Sequence, residues 1–523
     1  MRRLSTSACG TSVRGHRGHT FVLAFAALAA LQGRGEAQLR ATVCTEGIGL
    51  KSTYTIEGGR PGFPFLFLTS FQRSNFPLSA IDPRDTRTLG VGLELLSLLI
   101  VAPFDATGGR TFALPIPNDT NLAGQGVLHQ VLTYPGTATT FGDLSDVLVV
   151  PLEVPGAWRQ DIAKAMFYPR AWTSIIDEGD GKYLVAGGGS GALLALTSVD
   201  TTDRFDAATR TFTTGPKMTV ERGVHTVSAL SGNRWLLAGG VDRMNDPQAT
   251  CDLYDATQHS FTAAPAMNDK RMAHTATVLA DGRVFVTGGL SDMSTTQVAL
   301  VSSLKSTEIY DPATNKWTKG PDMSEAKAGH GALLLPDGRV LLSGGLTYTV
   351  FLSIKIPQFS KAVDIFDPKT NTMKSVAAMN VDRAGHGIFE LAGGKVLVAG
   401  GIGGAILSGG IPTSGSEIYD PAQNRWTSTG SLPLAKGLAG AVVLSDGSPA
   451  MIGGAGGSFL APLPVDDCAA YDVAKGTWSA LPKLVTPRAT HAVMTGSGCA
   501  VFAIGGATGT SNAAVTTAET LIR

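Results

Sequence analysis

The sequence is short of charge, of aromatic residues and of cysteine, and each shortage excludes something. Only 16% of its 523 residues are Asp, Glu, Lys or Arg, and acidic and basic residues stand level at 42 each. Without a basic surplus there is no electrostatic footprint for a nucleic-acid partner. Five cysteines are too few to fasten a chain of this length, and no Cys-x-x-Cys or Cys/His pair at metal spacing occurs. Also missing are a Gly-x-Ser-x-Gly elbow, a His-Glu-x-x-His pair and a phosphate-binding Gly loop with its Lys. Long apolar runs are lacking as well. The longest, residues 21–31, is too short to cross roughly 30 Å of hydrocarbon as a helix, so no membrane span is expected.

That run has another reading. Arg2, Arg3, Arg14 and Arg17 precede it and Gly35-Glu36-Ala37 follows, the layout of a secretory signal ending at residue 37. A twin-arginine signal fits the flanks of Arg2-Arg3 poorly, so ordinary export, to the periplasm, cell envelope or exterior, is the expectation. Without residues 1–37 the chain keeps 37 basic and 41 acidic residues, a net charge of −4. Cys9 leaves with the leader. Cys44, Cys251, Cys468 and Cys499 remain; they read as buried thiols, with a Cys468–Cys499 disulfide open because the two fall in successive repeats.

What is abundant is glycine, 64 residues, together with 27 prolines. Both interrupt helices and favour short strands joined by tight turns. A Gly pair closes a short apolar strand at Gly187-Gly188, Gly239-Gly240, Gly288-Gly289, Gly344-Gly345, Gly400-Gly401, Gly453-Gly454 and Gly505-Gly506, at intervals of 52, 49, 56, 56, 53 and 52. After six of these pairs comes an aromatic-Asp pair, at Phe205, Tyr254, Tyr310, Phe366, Tyr419 and Tyr471. Six residues beyond each Asp stands a large apolar residue: Phe212, Phe261, Trp317, Met373, Trp426 and Trp478. Each unit reads as four short antiparallel strands with an Asp-Gly or Gly-Gly turn after the first. One such sheet cannot bury both faces, whereas stacking the sheets radially buries them against one another.

The order Arg-x-x-His, Asp-Gly, Gly-Gly, Tyr-Asp-Pro, Trp resembles the Kelch repeat, whose period is similar. The resemblance implies an all-β fold in which residues 156–523 form a seven-bladed β-propeller. The seventh unit lacks a fourth strand. Trp158, Met166 and Arg170 match Trp317, Met323 and Lys327, so the segment before the first unit is expected to supply it and latch the ring. Residues 38–155 lack the repeat. Apolar stretches at 63–68, 93–101 and 147–150 between Gly, Pro, Asp and Asn clusters predict a small β-sandwich.

Chemistry is harder to find. Copper-radical oxidases such as galactose oxidase share the seven-bladed Kelch propeller, and as a family they use two Tyr and two His, one Tyr-His pair being adjacent. Here no Tyr is followed by His. Tyr254, Tyr310, Tyr419 and Tyr471 occupy the repeated aromatic position, and His225, His274, His330, His386 and His491 share one position on the first strand. A residue repeated in five blades, as the histidine is, serves the blade rather than a single site, so no catalytic residue, metal or cofactor is assigned. His129 and His259 have no visible partner.

The loops after the Gly pairs are long and dissimilar, above all 290–306, 346–361 and 402–416, and they share a face with the connections between blades. Variable insertions on one face of a repeat array mark a binding surface. On that face a cation stands three residues before each first-strand His or its counterpart: Arg170, Arg222, Arg271, Lys327, Arg383, Lys436 and Arg488. The functional reading is a ring of charge round the axis that binds an anion or polar sugar; the structural one pairs each cation with a nearby acid such as Glu221, Glu325 or Asp382. The expected role is binding of a protein or glycan ligand through this face, with an exported carbohydrate-active oxidase as the alternative.

Overall fold

The computed structural model describes residues 40–45, 51–57, 64–70, 73–77, 88–91, 100–103, 105–106, 110–115, 125–133, 148–152, 157–161 and 165–522, apart from residues 180, 192–194, 208, 460 and 497–499. The expected signal segment and Cys499 lie outside the described residues. Cys251 and Cys468 are buried free thiols.

The region before the repeats forms two main sheets and a two-stranded ribbon of Arg73–Pro77 with Thr88–Val91. Arg40–Thr45, Lys51–Glu57 and Arg110–Pro115 make one; Ile100–Pro103, Pro64–Ser70, Gln125–Thr133 and Leu148–Leu152 make the other. Alternation along the strands points Tyr54 and Ile56 of the first sheet at Phe65, Phe67 and Val131 of the second, and these side chains form one core. The Tyr54 ring meets Phe67 edge-on at 4.9 Å between centroids. This is the small sandwich expected from the strand pattern.

From Trp158 onward the chain folds into seven four-stranded antiparallel sheets, the blades of a Kelch-type propeller. Blade 3 shows why these residues suit it. Thr275–Val278 runs nearest the axis, and Asp281-Gly282 reverses the chain with Gly282 at φ +86°. Val284–Thr287 is buried throughout between the neighbouring blades. Thr307–Asp311 and Lys316–Lys319 complete the sheet. In each aromatic-Asp pair the ring packs on the large apolar residue of the fourth strand, as Tyr310 does on Trp317 at 5.2 Å.

The ring closes as expected. Trp158–Asp161 pairs antiparallel with Ala518–Ile522, so blade 7 takes three strands from the end of the chain and its outermost from the start. Trp158 behaves as a fourth-strand Trp: its indole N–H donates to the Pro482 carbonyl of blade 6 at 3.0 Å, as that of Trp317 donates to Pro265 of blade 2 at 2.9 Å. Blade 7 packs on blade 1 through one core that includes Met166, Phe205 and Phe502.

Candidate functional site

The seven cations lie inside the blades. Arg170, Arg222, Arg271, Lys327, Arg383, Lys436 and Arg488 are each 0% exposed. Arg383 is representative: its guanidinium donates to the carbonyls of Gly400 at 2.7 Å and Gly415 at 2.8 Å, and to the Glu417 carboxylate at 2.9 Å. Burial pulls the pKa of Arg170, Arg222, Arg383, Arg488 and Lys436 down, and the paired carboxylates pull it back. The charge ring facing the axis is therefore corrected: each charge is spent within its own sheet. The acids are also different from those expected. Asp203, Asp252, Glu308, Asp364, Glu417 and Glu519, on the third strands, pair with Arg170, Arg222, Arg271, Lys327, Arg383 and Arg488, while Asp467 pairs with Lys436. Glu221 instead faces Arg243, Glu325 bonds Ser360, and Asp382 accepts from the Gly404 amide. The missed signal was a carboxylate two residues before the aromatic in five blades.

Each cation also joins two blades. The backbone carbonyl of Arg271 accepts from the second Gly of the preceding blade, Gly240, at 2.9 Å. A Cβ on Gly239 would lie 2.5 Å from that oxygen and 2.8 Å from the His274 ring, which is why only Gly fits. The same joint seals the ring, since a Cβ on Gly505 of blade 7 would lie 2.4 Å from the Arg170 carbonyl of blade 1.

The five first-strand histidines belong to these joints. His274 meets Thr226 at 3.0 Å, His330 meets Thr287 at 2.7 Å and Thr275 at 3.0 Å, and His386 meets Ser343 at 2.9 Å, each across a blade boundary. Burial first, then the neighbouring cation, lowers the pKa of His225, His330, His386 and His491 to about 3 and that of His274 well below its ordinary value. The tyrosines are engaged too: the hydroxyl of Tyr254 bonds Glu178, those of Tyr310 and Tyr419 donate to Asn315 and Asn424, and that of Tyr471 pairs with Thr429. His259 lies beside Arg204 and Glu178 on the face of short turns. The His129 side chain is outside the described residues.

Two residues beyond each cation the chain turns left-handed. Trp172, Val224, Ala273, Gly329, Gly385, Leu438 and Thr490 all have φ between +50° and +60°. Their amides and carbonyls bond head to tail, Trp172 to Thr490, Thr490 to Leu438, and so on through Val224 back to Trp172, making a closed collar of seven hydrogen bonds round the axis. Val224 and Thr490, being β-branched, are costly in this conformation. The collar holds the loop-bearing end of the propeller in register.

Above it the loops after the Gly pairs make a second tier. Leu196, Val241, Leu290, Leu346 and Ile402 start or end these loops and share one apolar cluster with Phe359 and Ile406, on which Trp172 and Leu438 of the collar also pack. Most hairpins here are short, such as Gly189–Ser190 with Thr197–Ser198 and Ala507–Thr508 with Ala513–Ala514. Blade 4 differs. Its hairpin, Leu346–Phe351 with Ile354–Phe359, has strands of six residues, about 20 Å long at roughly 3.3 Å per residue. The base is anchored by Leu346 bonding Ala328 and by Phe359 meeting Phe459 edge-on at 5.6 Å. The tip is bare: Val350, Phe351, Leu352 and Ile354 are 63%, 64%, 79% and 64% exposed. Between the loops of blades 1, 2 and 3 lies a cleft of about 600 Å³ lined by Leu196, Arg243, Met244, Asp246, Asp292 and Met293.

Fold and site together define a sevenfold β-propeller whose seven repeated cations are paired inside the blades and whose apolar loops gather on one face. Residues 271–324 match the family model described as Kelch motif, so the chain carries Kelch repeats. It is 29% identical over 157 residues to Kelch-like protein 15 of Danio rerio, covering 27% of this chain and 24% of that protein. It is 27% identical over 207 residues to Beta-scruin of Limulus polyphemus, covering 39% of this chain and 21% of that protein. These matches span about a quarter of the curated relatives' length. A solved structure of a novel fungal alcohol oxidase of the AA5 family, in complex with copper, shares the fold with a TM-score of 0.53 at 16% identity, over 70% of this chain and 76% of that one.

Proposed function

We propose that this protein is an exported interaction propeller that grips a protein partner with its loop face. One observation carries the reading. Of the seventeen exposed large apolar side chains among the described residues, all but Val101, Val443 and Val473 lie on the loops after the Gly pairs or on the connections between blades. Apolar surface gathered on one side of a water-facing molecule marks a contact surface. The Kelch-like relatives fit such a role, and the leader-like N-terminus supports export. No helix among the described residues is long and apolar enough to cross a membrane.

The rival, an exported oxidase, has the fold likeness to a copper-containing alcohol oxidase in its favour. Against it, the repeated tyrosines and histidines are individually committed to separate blades and to the joints between them. A glycan ligand has less to stand on: among the described residues, the exposed aromatic rings of this face are Phe167, Tyr168 and Phe351.

The test places the photo-cross-linking residue p-benzoylphenylalanine at Met244, Leu352 or Ile411 on the loop face, and at Val473 on the turn face, in the source cell. Loop-face probes are expected to trap one common protein and the Val473 probe none. Equal capture from both faces would overturn the proposal, as would specific binding on a glycan array without protein capture, or stoichiometric copper with a radical signal in the purified protein.

A further inference from the structure

The blade 4 hairpin is unlike the rest of the loop face, and its hydrogen bonding says how it is used. Phe351 and Ile354 flank the two-residue turn, so alternation along the ribbon makes Phe351/Ile354, Thr349/Ile356 and Thr347/Gln358 the mutually bonded pairs. The backbone groups of Leu346, Tyr348 and Val350 then point outward from the first strand. Those of Leu346 are used, in both directions, by Ala328. Tyr348 and Val350, the next two, have no backbone partner on that side among the described residues. The second strand is different: Pro357 has no N–H to offer, and Lys355 folds over the Tyr348 ring at 4.2 Å and donates to the Val301 carbonyl at 3.2 Å. One edge of the ribbon is open and the other is blunted.

The apex is apolar against its own turn preference. Leu352 and Ser353 sit at φ +46° and +66°, positions where Asn and Gly are favoured and where each L residue costs about 1 kcal/mol. A Leu at the most protruding point of a strained turn has to be matched by something that covers it.

We propose, on the footing that the loop face binds protein, that the partner docks by adding an extended segment to the open Tyr348/Val350 edge, its alternate apolar side chains packing on Phe351 and Ile354, which share one face of the ribbon. A lipid bilayer suits the ribbon less: backbone groups of an open edge would enter hydrocarbon unpaired, at several kcal/mol each. In a protein partner the same groups complete a third strand. Asp242, Asp292 and Asp382 of the same face accept hydrogen bonds from their own loops or from Gly404 but form no salt bridge among the described residues, so the incoming segment carries Lys or Arg between its apolar residues.

The probe is a phage-displayed library of random 12-residue peptides panned on the full chain, with enriched peptides synthesised and their affinity measured by fluorescence anisotropy. Enrichment of sequences that alternate apolar and basic residues is expected. Val350→Pro, which removes the outward amide, should weaken these peptides at least 10-fold, as should N-methylation of alternate peptide amides; Val350→Ile should bind like the parent. An unchanged melting temperature separates lost docking from lost folding, and the triple variant F351S/L352N/I354S, which keeps every backbone amide, tests the apolar tip independently. No enrichment, or equal binding to Val350→Pro, would overturn the inference. So would cosedimentation with phosphatidylcholine/phosphatidylglycerol (7:3) vesicles that the triple variant abolishes, or a dimer of the chain that Val350→Pro dissociates. If the Met244 and Ile411 cross-links persist in the Val350→Pro variant, the edge has failed and the loop-face reading stands; if they never form, the broader reading has failed.

Discussion

Blades 4 and 5 match strand for strand up to their Gly pairs and then part company. Arg383 of blade 5 bonds the Gly415 carbonyl and Glu417; Lys327 of blade 4 reaches the Ala362 carbonyl and Asp364 in the same place. Beyond the pair, blade 5 continues with two-residue strands, Ile402–Gly403 and Ile411–Pro412, while blade 4 carries its six-residue ribbon. The difference follows from what each region must touch. A joint meets the next blade, and a change in one must be matched in its neighbour; a loop tip meets only solvent until a partner arrives. The repeated half of the molecule holds the shape, and the unrepeated half is free to carry recognition.

The largest effect should come from breaking the repeat at its seam. Deleting residues 518–523 takes the third strand from blade 7 and with it the only sheet partner of Trp158–Asp161 among the described residues. Loss of the single cooperative unfolding transition is expected in urea followed by Trp fluorescence. A truncated protein that unfolds at the parent's midpoint would mean that the ring does not depend on its latch.

The joints themselves are next. Arg383→Met leaves Glu417 buried without its partner, and removal of one half of a buried pair costs about 3–5 kcal/mol. Lys436→Met should cost less, about 1–2 kcal/mol, because the Asp467 side chain is 14% exposed and can regain water. Urea midpoints for the two variants check the order. Neither should change loop-face cross-linking once folded, which separates structural cations from ligand contacts.

This pairing also shows what could be read in advance. Seven Gly pairs at near-constant spacing require seven like sheets, and an unpaired third strand at the end of the chain requires a fourth from elsewhere, so the blade number and the latch were legible. The cations were legible as a repeat but not as a place. Arg and Lys look the same in a string of letters whether they point along an axis or into a sheet, and their acids lie 30 to 37 residues away along the chain, on the third strand or, for Asp467, just before it. The collar was hidden for another reason: left-handed backbone at Trp172, Val224 and Thr490 runs against residue preference and is imposed by ring closure. The open edge of blade 4 depends on register, which alternation within one segment does not supply.

Acid should act on the joints more than on the tips. The folded histidines keep pKa values near 3, whereas an unfolded histidine takes up its proton near pH 6.5. The unfolded chain therefore binds more protons as pH falls, and the stability present above about pH 6.5 is lost progressively toward pH 3. Each buried imidazole contributes up to about 1.4 kcal/mol per pH unit within that window. His330→Gln, which can still bond Thr275 and Thr287, should flatten the fall of melting temperature between pH 7 and pH 5. An unchanged slope would show that His330 is not held neutral.

The smallest effect on stability is the most informative about the tip. Replacing Leu352 and Ser353 by Asn and Gly gives the turn the residues its left-handed backbone favours and should raise stability, by about 1 kcal/mol. The same change removes the most exposed apolar side chain of the hairpin, so peptides selected on the parent should bind L352N/S353G at least 10-fold more weakly. A gain in stability with a loss in binding is the opposite of what a joint variant does, where stability falls and the loops keep their surface. If the variant were stabilised and bound as before, the exposed Leu would be an accident of the turn, and recognition would have to rest on the backbone edge alone. If it were destabilised, the leucine would be packing on something within the molecule, and the hairpin would belong with the joints.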